Sequence, residues 1–356
     1  MNKNNTAPAK LTRRPPFYKR KGFLWPVGVV LGLSVAILLL FELSPVPGAL
    51  LVRFTFTQND KQSLAALQKY TPSTPITTFA NQQYTPHNHR ALLDVYVPKS
   101  AEQSDTQLPV VIWTHGGAWV SGDKANVAPY FKLLASKGFV VVSVNYTLAP
   151  EKKYPAQIFE LNDAHAYVLT NAARFHINPN KFFIAGDSAG SQLTSQMAAL
   201  ITNPMYAKAL GITPALSPQQ LAGAILFCGI YQMKGLTEAD PNLPKLISWG
   251  DDQVVWAFSG TRNHDSPIIR QMSPYFYVTK DFPTTFISGG NGDPLTDKQS
   301  KPLAQKLNKL GVPVTSLFYA KDHQPSLPHE YQFNLDNTDG QQALAQLVQF
   351  LQKEQD

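Results

Sequence analysis

Five residues constrain this chain most: Gly186-Asp187-Ser188-Ala189-Gly190. They follow the apolar run Phe182-Phe183-Ile184-Ala185, which reads as a buried strand, and they precede Gln192 to Leu200, which is helix-compatible. A serine flanked by small residues at a strand-to-helix turn sits in a tight, strained bend. The bend lifts the hydroxyl above the sheet, at a helix N-terminus. There the backbone N–H groups and the helix dipole favour developing negative charge. An inert serine in a glycine-rich turn would look the same over five residues, so a second motif has to decide.

That motif is Thr114-His115-Gly116-Gly117-Ala118-Trp119, with His115 73 residues before the serine. It follows the apolar run Pro109 to Trp113, again a strand end. An HGGG-type loop after an earlier strand supplies backbone N–H groups to an oxyanion hole, together with the residue after the nucleophile. A third segment is Asn145-Tyr146-Thr147-Leu148-Ala149-Pro150-Glu151, followed by Tyr154-Pro155-Ala156. With these three segments the chain resembles the hormone-sensitive-lipase-like esterases of the α/β-hydrolase superfamily, and their carboxylesterase, feruloyl-esterase and acetyl-esterase relatives. The resemblance covers roughly residues 85 to 352. It implies a mostly parallel sheet flanked by helices with a lid insertion, and a structural role for Asp163. It also implies oxyanion N–H donors at Gly116, Gly117 and Ala189, with His115 bracing the loop. The chain departs from the family at Ala118, where a glycine is usual. A methyl group is tolerated there if φ stays below zero.

A serine hydroxyl is a poor nucleophile at neutral pH. It needs a histidine to take its proton and an acid to hold the histidine's tautomer. The order on this fold is serine, acid, histidine. Asp293, in Gly289-Gly290-Asn291-Gly292-Asp293, follows the strand-like run 283–287 and is the expected acid, with Asp297 as the alternative. His329 lies between the strand-like run 312–319 and a C-terminal helix, 339–353, and is the expected base. His323, in the same loop, is the alternative, and His264 reads as a surface or lid residue. Trp119 and Tyr146 are expected to line the pocket. The chemistry needs no metal or organic cofactor.

The charge is uneven. Residues 1–21 hold seven cations and no Asp or Glu, which equals the net charge of +7 for all 356 residues. The basic character therefore belongs to the tail, and no nucleic-acid partner is expected. Phe23 to Phe41 follows, 19 residues without a charge. As a helix it spans roughly 28 Å, about the thickness of a bilayer's hydrocarbon core. It is longer than a signal-peptide core and lacks an A-x-A-like exit. Residues 22–43 thus read as a transmembrane signal-anchor, with a cleaved signal as the alternative. The cationic flank puts the N-terminus in the cytoplasm and the remainder outside the membrane.

Residues 44–85 read as a stalk or linker and the start of the domain, with a short helix near 61–69. The domain proper, 86–356, opens with Leu92 to Val97 as an antiparallel edge strand. Strands at 109–113, 139–145, 182–186, 222–228, 284–288 and 313–319 then alternate with helices, the signature of a parallel sheet covered on both faces. Residues 230–281 are too long for a simple crossover. Their aromatics suggest a cap walling an acyl pocket, or else ordinary helix packing. Cys228, the lone cysteine, reads as buried and inert. The expected function is a membrane-anchored serine hydrolase acting on small or polymer-linked carboxylic esters. A peptidase or amidase on the same fold, and a non-catalytic membrane scaffold, are the alternatives.

Overall fold

The computed structural model describes residues 21–86, 88–237 and 244–355. The chain divides into two units, residues 1–47 and 48–356. In the first, α1 (Lys21–Leu43) is a continuous helix. Its segment Trp25–Leu43 has mean hydropathy 2.3 and no buried residue, so it is long and apolar enough to cross a membrane. The remainder of the basic tail, residues 1–20, lies outside the described residues.

The second unit is a sheet of eight strands. In chain order they are β1 (Ile76–Gln83), β2 (Leu92–Pro98), β3 (Leu108–Thr114), β4 (Val140–Val144), β5 (Ile177–Asp187), β6 (Leu221–Phe227), β7 (Thr285–Gly289) and β8 (Val314–Phe318). The spatial order is β1-β2-β4-β3-β5-β6-β7-β8. β2 pairs antiparallel with both β1 and β4, and every other pair is parallel. The helices are α2 (Val46–Leu67), α3 (Lys99–Ser104), α4 (Ala128–Ala135), α5 (Ala156–Thr170), α6 (Ser188–Thr202) and α7 (Pro204–Leu210). They continue with α8 (Met233–Thr237), α9 (Lys245–Ser259), α10 (Pro267–Gln271), α11 (Lys301–Lys309) and α12 (Thr338–Glu354).

The strands are apolar on both faces because helices cover both. Successive side chains alternate across a strand. Val110 and Ile112 of β3 therefore join Leu193 and Met197 of α6 in one cluster. Val111 and Trp113 join Tyr130 and Phe131 of α4 and Phe350 of α12 in the other. This is the parallel-sheet architecture read from the alternating pattern.

Two expectations change. Leu92–Val97 is not the edge strand, since β1 pairs outside it. Segment 44–85 holds more structure than the short helix expected there: it contains the 22-residue α2 and the strand β1. The interval 230–281 carries α8, α9 and α10, with residues 238–243 outside the description.

Candidate active site

Ser188 is the first residue of α6, directly after β5, and has φ +51°. A non-glycine residue in the left-handed region is strained and is held there by its surroundings. The flanking glycines make the bend possible. A Cβ on Gly190 would run into the carbonyl oxygens of Thr114 and His115. One on Gly186 would strike the backbone of Gly190. The turn thus packs directly on the end of β3, where the Thr114–Trp119 loop begins.

The Ser188 Oγ lies 2.9 Å from His329 Nε2, and His329 Nδ1 lies 2.9 Å from Asp293 Oδ2. A carboxylate can only accept, so the ring proton sits on Nδ1 and donates to Asp293. Nε2 is then left to accept from the serine hydroxyl. Asp293 is anchored by the Leu295 N–H, which donates to its Oδ1 at 2.9 Å. Burial works against an imidazolium at His329, but the neighbouring Cys228 and Asp293 outweigh it and raise its pKa well above 6.5. The Cys228 thiol is itself pushed up to about 11, chiefly by burial, and is neutral at pH 7. The Asp293 carboxylate, which accepts the Nδ1 proton, favours the imidazolium.

The alternatives lie elsewhere. Asp297 is exposed and ion-pairs with Lys301 at 2.6 Å. His323 Nε2 faces Asp339 at 3.0 Å, at the start of α12. His264 lies 3.5 Å from Asp252. Sequence reasoning missed Asn291. Its Oδ1 accepts from the Leu327 N–H at 2.9 Å, and its Nδ2 donates to the His323 carbonyl at 2.9 Å. The loop carrying the acid thereby grips the loop carrying the histidine.

The loop after β3 departs from expectation in three ways. The Gly116 N–H is not free for an oxyanion: it donates to Asp187 Oδ2 at 2.8 Å. Ala118 does not keep a negative φ. Gly117, Ala118 and Trp119 run at +98°, +51° and +60°. Tyr146 does not line the cavity. It stacks on His115 with centroids 4.5 Å apart, and its hydroxyl donates to the His115 carbonyl at 3.2 Å. The groups left to hold an anion are the N–H groups of Gly117 and Ala118, which have no acceptor among the described residues, and that of Ala189. The last lies in the first turn of α6, where no intrahelical partner exists. His115 braces the loop as anticipated. Its Nδ1–H donates to the Gly116 carbonyl at 2.8 Å, and burial lowers its pKa to about 4, so it stays neutral.

Ser188, Asp293, His329 and Trp119 all line one cavity of about 710 Å³. Phe56 and Asp60 of α2 form part of its wall, with Leu236, Ile247 and Val254 from the 230–281 interval. Two large aromatics of that interval pack on other rings. Phe258 stacks on Trp119 at 4.8 Å, and Tyr277 on Tyr206 at 3.9 Å. Two wall carboxyls are pushed upward chiefly by burial, Asp60 to about 6 and Asp251 to about 7. Asp163, given a structural role by resemblance, is exposed. The buried carboxylate there is Glu160, which accepts from the Thr147 N–H at 2.6 Å and the Thr147 hydroxyl at 2.7 Å.

The sequence model of the BD-FAE family matches residues 93–307, more than half of the chain. The chain belongs to the BD-FAE family. This agrees with the esterase-type resemblance read from the motifs. Among curated relatives of this BD-FAE member, esterase LipQ of Mycobacterium tuberculosis is 28% identical over 65% of this chain and 53% of its own length. Carboxylesterase NlhH of the same species is 29% identical over 63% of this chain and 66% of its own. The match spans between 48% and 66% of the length of such relatives. Solved structures share the fold. Esterase B from Lactobacillus rhamnosis aligns with TM-score 0.74 at 21% identity, over 87% of this chain and 98% of that one. The Pyrobaculum calidifontis esterase aligns with TM-score 0.66 at 22% identity, over 85% and 92%.

Proposed function

We propose that this BD-FAE family member is a serine hydrolase that cleaves carboxylic esters through an acyl-enzyme. The observation that carries the reading is the unbroken relay Ser188–His329–Asp293, with both contacts at 2.9 Å, on the wall of a cavity large enough for a small ester. In this reading Ser188 attacks the ester carbonyl as His329 takes its proton. The resulting oxyanion is held by the N–H groups of Gly117, Ala118 and Ala189. His329 then protonates the leaving alcohol and activates water against the acyl-enzyme, while Asp293 stabilises the imidazolium. The ester names of the relatives favour this substrate class over an amide.

The full-length protein in detergent, assayed on p-nitrophenyl esters from acetate to palmitate with Ser188→Ala as control, tests the reading. Turnover by the parent and none by the variant is expected. A folded parent that releases no nitrophenol from any ester removes the esterase reading. We also read Trp25–Leu43 as a membrane anchor, supported by its mean hydropathy of 2.3 and the seven cations before it. The N-terminus then faces the cytoplasm and the hydrolase unit faces outward. Extraction of the protein by alkaline carbonate would overturn the anchor. Resistance of the hydrolase unit to protease added outside intact spheroplasts would overturn the orientation.

A further inference from the structure

Cys228 is the chain's single cysteine and the first residue after β6. It sits at φ +41°, and its N–H donates to the Ser288 carbonyl of neighbouring β7 at 2.8 Å. That turn buries the side chain against the base of the active site. One ligand atom each from Cys228, His329 and Asp293 lies within 4.8 Å of the other two. The three come from three strand ends, after β6, β7 and β8. They offer a sulfur, a nitrogen and an oxygen.

This donor set suits a borderline cation. Zinc bonds of about 2.3 Å to sulfur and about 2.0–2.1 Å to nitrogen and oxygen place tetrahedral ligand atoms about 3.3–3.6 Å apart. Side-chain shifts that close a 4.8 Å spacing by about 1.2–1.5 Å reach that range. The entry path is the cavity, which leaves 36% of the His329 side chain exposed. We propose that Cys228, His329 and Asp293 form an inhibitory site for a thiophilic divalent cation of the Zn²⁺ class, with water as the fourth ligand.

On binding, the Cys228 S–H bond breaks, a sulfur–metal bond forms, and one proton leaves to solvent. No electron is transferred. The cation's charge overcomes the reluctance of a buried thiol to ionise. The same reluctance makes the free thiol a poor nucleophile. A His329 lone pair given to the metal cannot accept the Ser188 proton, and the Asp293 carboxylate leaves the ring. The inhibitory consequence rests on the hydrolase reading above, whereas metal binding itself does not.

The test uses full-length protein in detergent and Cd²⁺ as the optical probe. Because the chain has one cysteine, any thiolate-to-cadmium charge-transfer absorption reports Cys228. The parent is expected to develop that band, saturating at one Cd²⁺ per chain, with Zn²⁺ displacing it. His329→Ala should weaken Cd²⁺ affinity at least tenfold. In p-nitrophenyl acetate hydrolysis, EDTA should reverse Zn²⁺ inhibition. Cys228→Ala and Cys228→Ser, each referred to its own metal-free rate, should need at least tenfold more Zn²⁺. Absence of the band, unchanged Cd²⁺ affinity in His329→Ala, or equal Zn²⁺ sensitivity of parent and both cysteine variants would each overturn the site. A parent that cleaves no ester would remove the hydrolase reading, and the band would still decide the metal site.

Discussion

The Gly116 N–H donates to the Asp187 carboxylate at 2.8 Å, which ties the loop after β3 to the residue just before Ser188. The other Asp187 oxygen accepts from the Trp113 indole N–H at 2.6 Å. Burial first, and the charge of Glu330 next, push the pKa of Asp187 well upward. The two N–H donors oppose that shift. A single side chain thus ties the turn at Ser188 to the loop after β3. Asp187→Asn keeps the size but leaves one N–H facing an amide nitrogen. We expect kcat to fall about 10- to 100-fold, below the full loss of an oxyanion donor, with KM changed less. Steady-state kinetics on p-nitrophenyl acetate would check this, and parental kcat in the variant would show that the tie is dispensable.

The second prediction separates the two histidines of one loop. His329→Ala and Asp293→Asn should each lower kcat by about three to four orders of magnitude with the fold intact. His323→Ala breaks only the 3.0 Å contact to Asp339 and should keep most of the rate. Circular dichroism beside the kinetics distinguishes chemistry from unfolding. A dead His323→Ala that is still folded would move the base assignment.

The pH dependence follows from the raised pKa of His329. In the proposed mechanism His329 acts deprotonated, so a raised pKa should move the acid limb of kcat/KM upward, to a midpoint above pH 6.5. Asp293→Asn removes the carboxylate that favours the imidazolium, so the limb of its residual activity should shift to lower pH. A rate profile from pH 5 to 9 measures both, and a parental midpoint below 6.5 would contradict the assignment.

The second to eighth strands were legible because buried runs such as Phe182 to Ala185 alternate with helical stretches. The meeting of Ser188, Asp293 and His329 was legible because each follows a strand end in the order expected for the fold. What was hidden depends on neighbours distant in sequence. β1 escaped notice because Ile76–Gln83 is a half-buried edge strand with an irregular register between Phe79 and Gln82. The first turns of α2 escaped because Val46–Leu67 buries only Gly48, Ala49 and Leu67 and so shows no clear period. The destination of the Gly116 N–H is set by a side chain on β5, and nothing in the Thr114–Trp119 motif announces it. The left-handed backbone at Ala118 is likewise imposed by the closed loop, in which the Ser121 N–H returns to the Gly117 carbonyl at 2.9 Å.

Ala118 gives the fourth prediction. An alanine at φ +51° costs roughly 1 kcal/mol, and glycine would remove that cost. Glycine also raises the entropy of the unfolded chain by a comparable amount. Ala118→Gly should therefore leave stability within about 1 kcal/mol and keep the rate. Ala118→Val adds a β-branch at positive φ and should lower both the melting temperature and kcat. A valine variant as stable and as fast as the parent would show that the left-handed conformation is not adopted in solution.

Arg53 of α2 carries the last. Its Nε donates to the Val120 carbonyl at 2.5 Å and one Nη to the Ala149 carbonyl at 2.7 Å, while both Nη groups reach Glu151 at 2.6 Å. The Ala149 N–H in turn donates to the Trp119 carbonyl at 2.9 Å. One guanidinium therefore holds the helix that walls the cavity against the loop that presents Gly117 and Ala118. The Glu151 pair is half exposed and contributes little. The charge-assisted bonds to the two carbonyls contribute more, together about 2–3 kcal/mol. Arg53→Ala should lower the melting temperature by several degrees and raise KM, because Phe56 and Asp60 move with α2. Arg53→Lys, a point charge that cannot span both carbonyls and the carboxylate, should recover part of the loss. Glu151→Gln should cost less than either arginine variant. If Arg53→Ala melts with the parent and keeps its KM, α2 is held by its apolar contacts alone and Arg53 does not set the cavity wall.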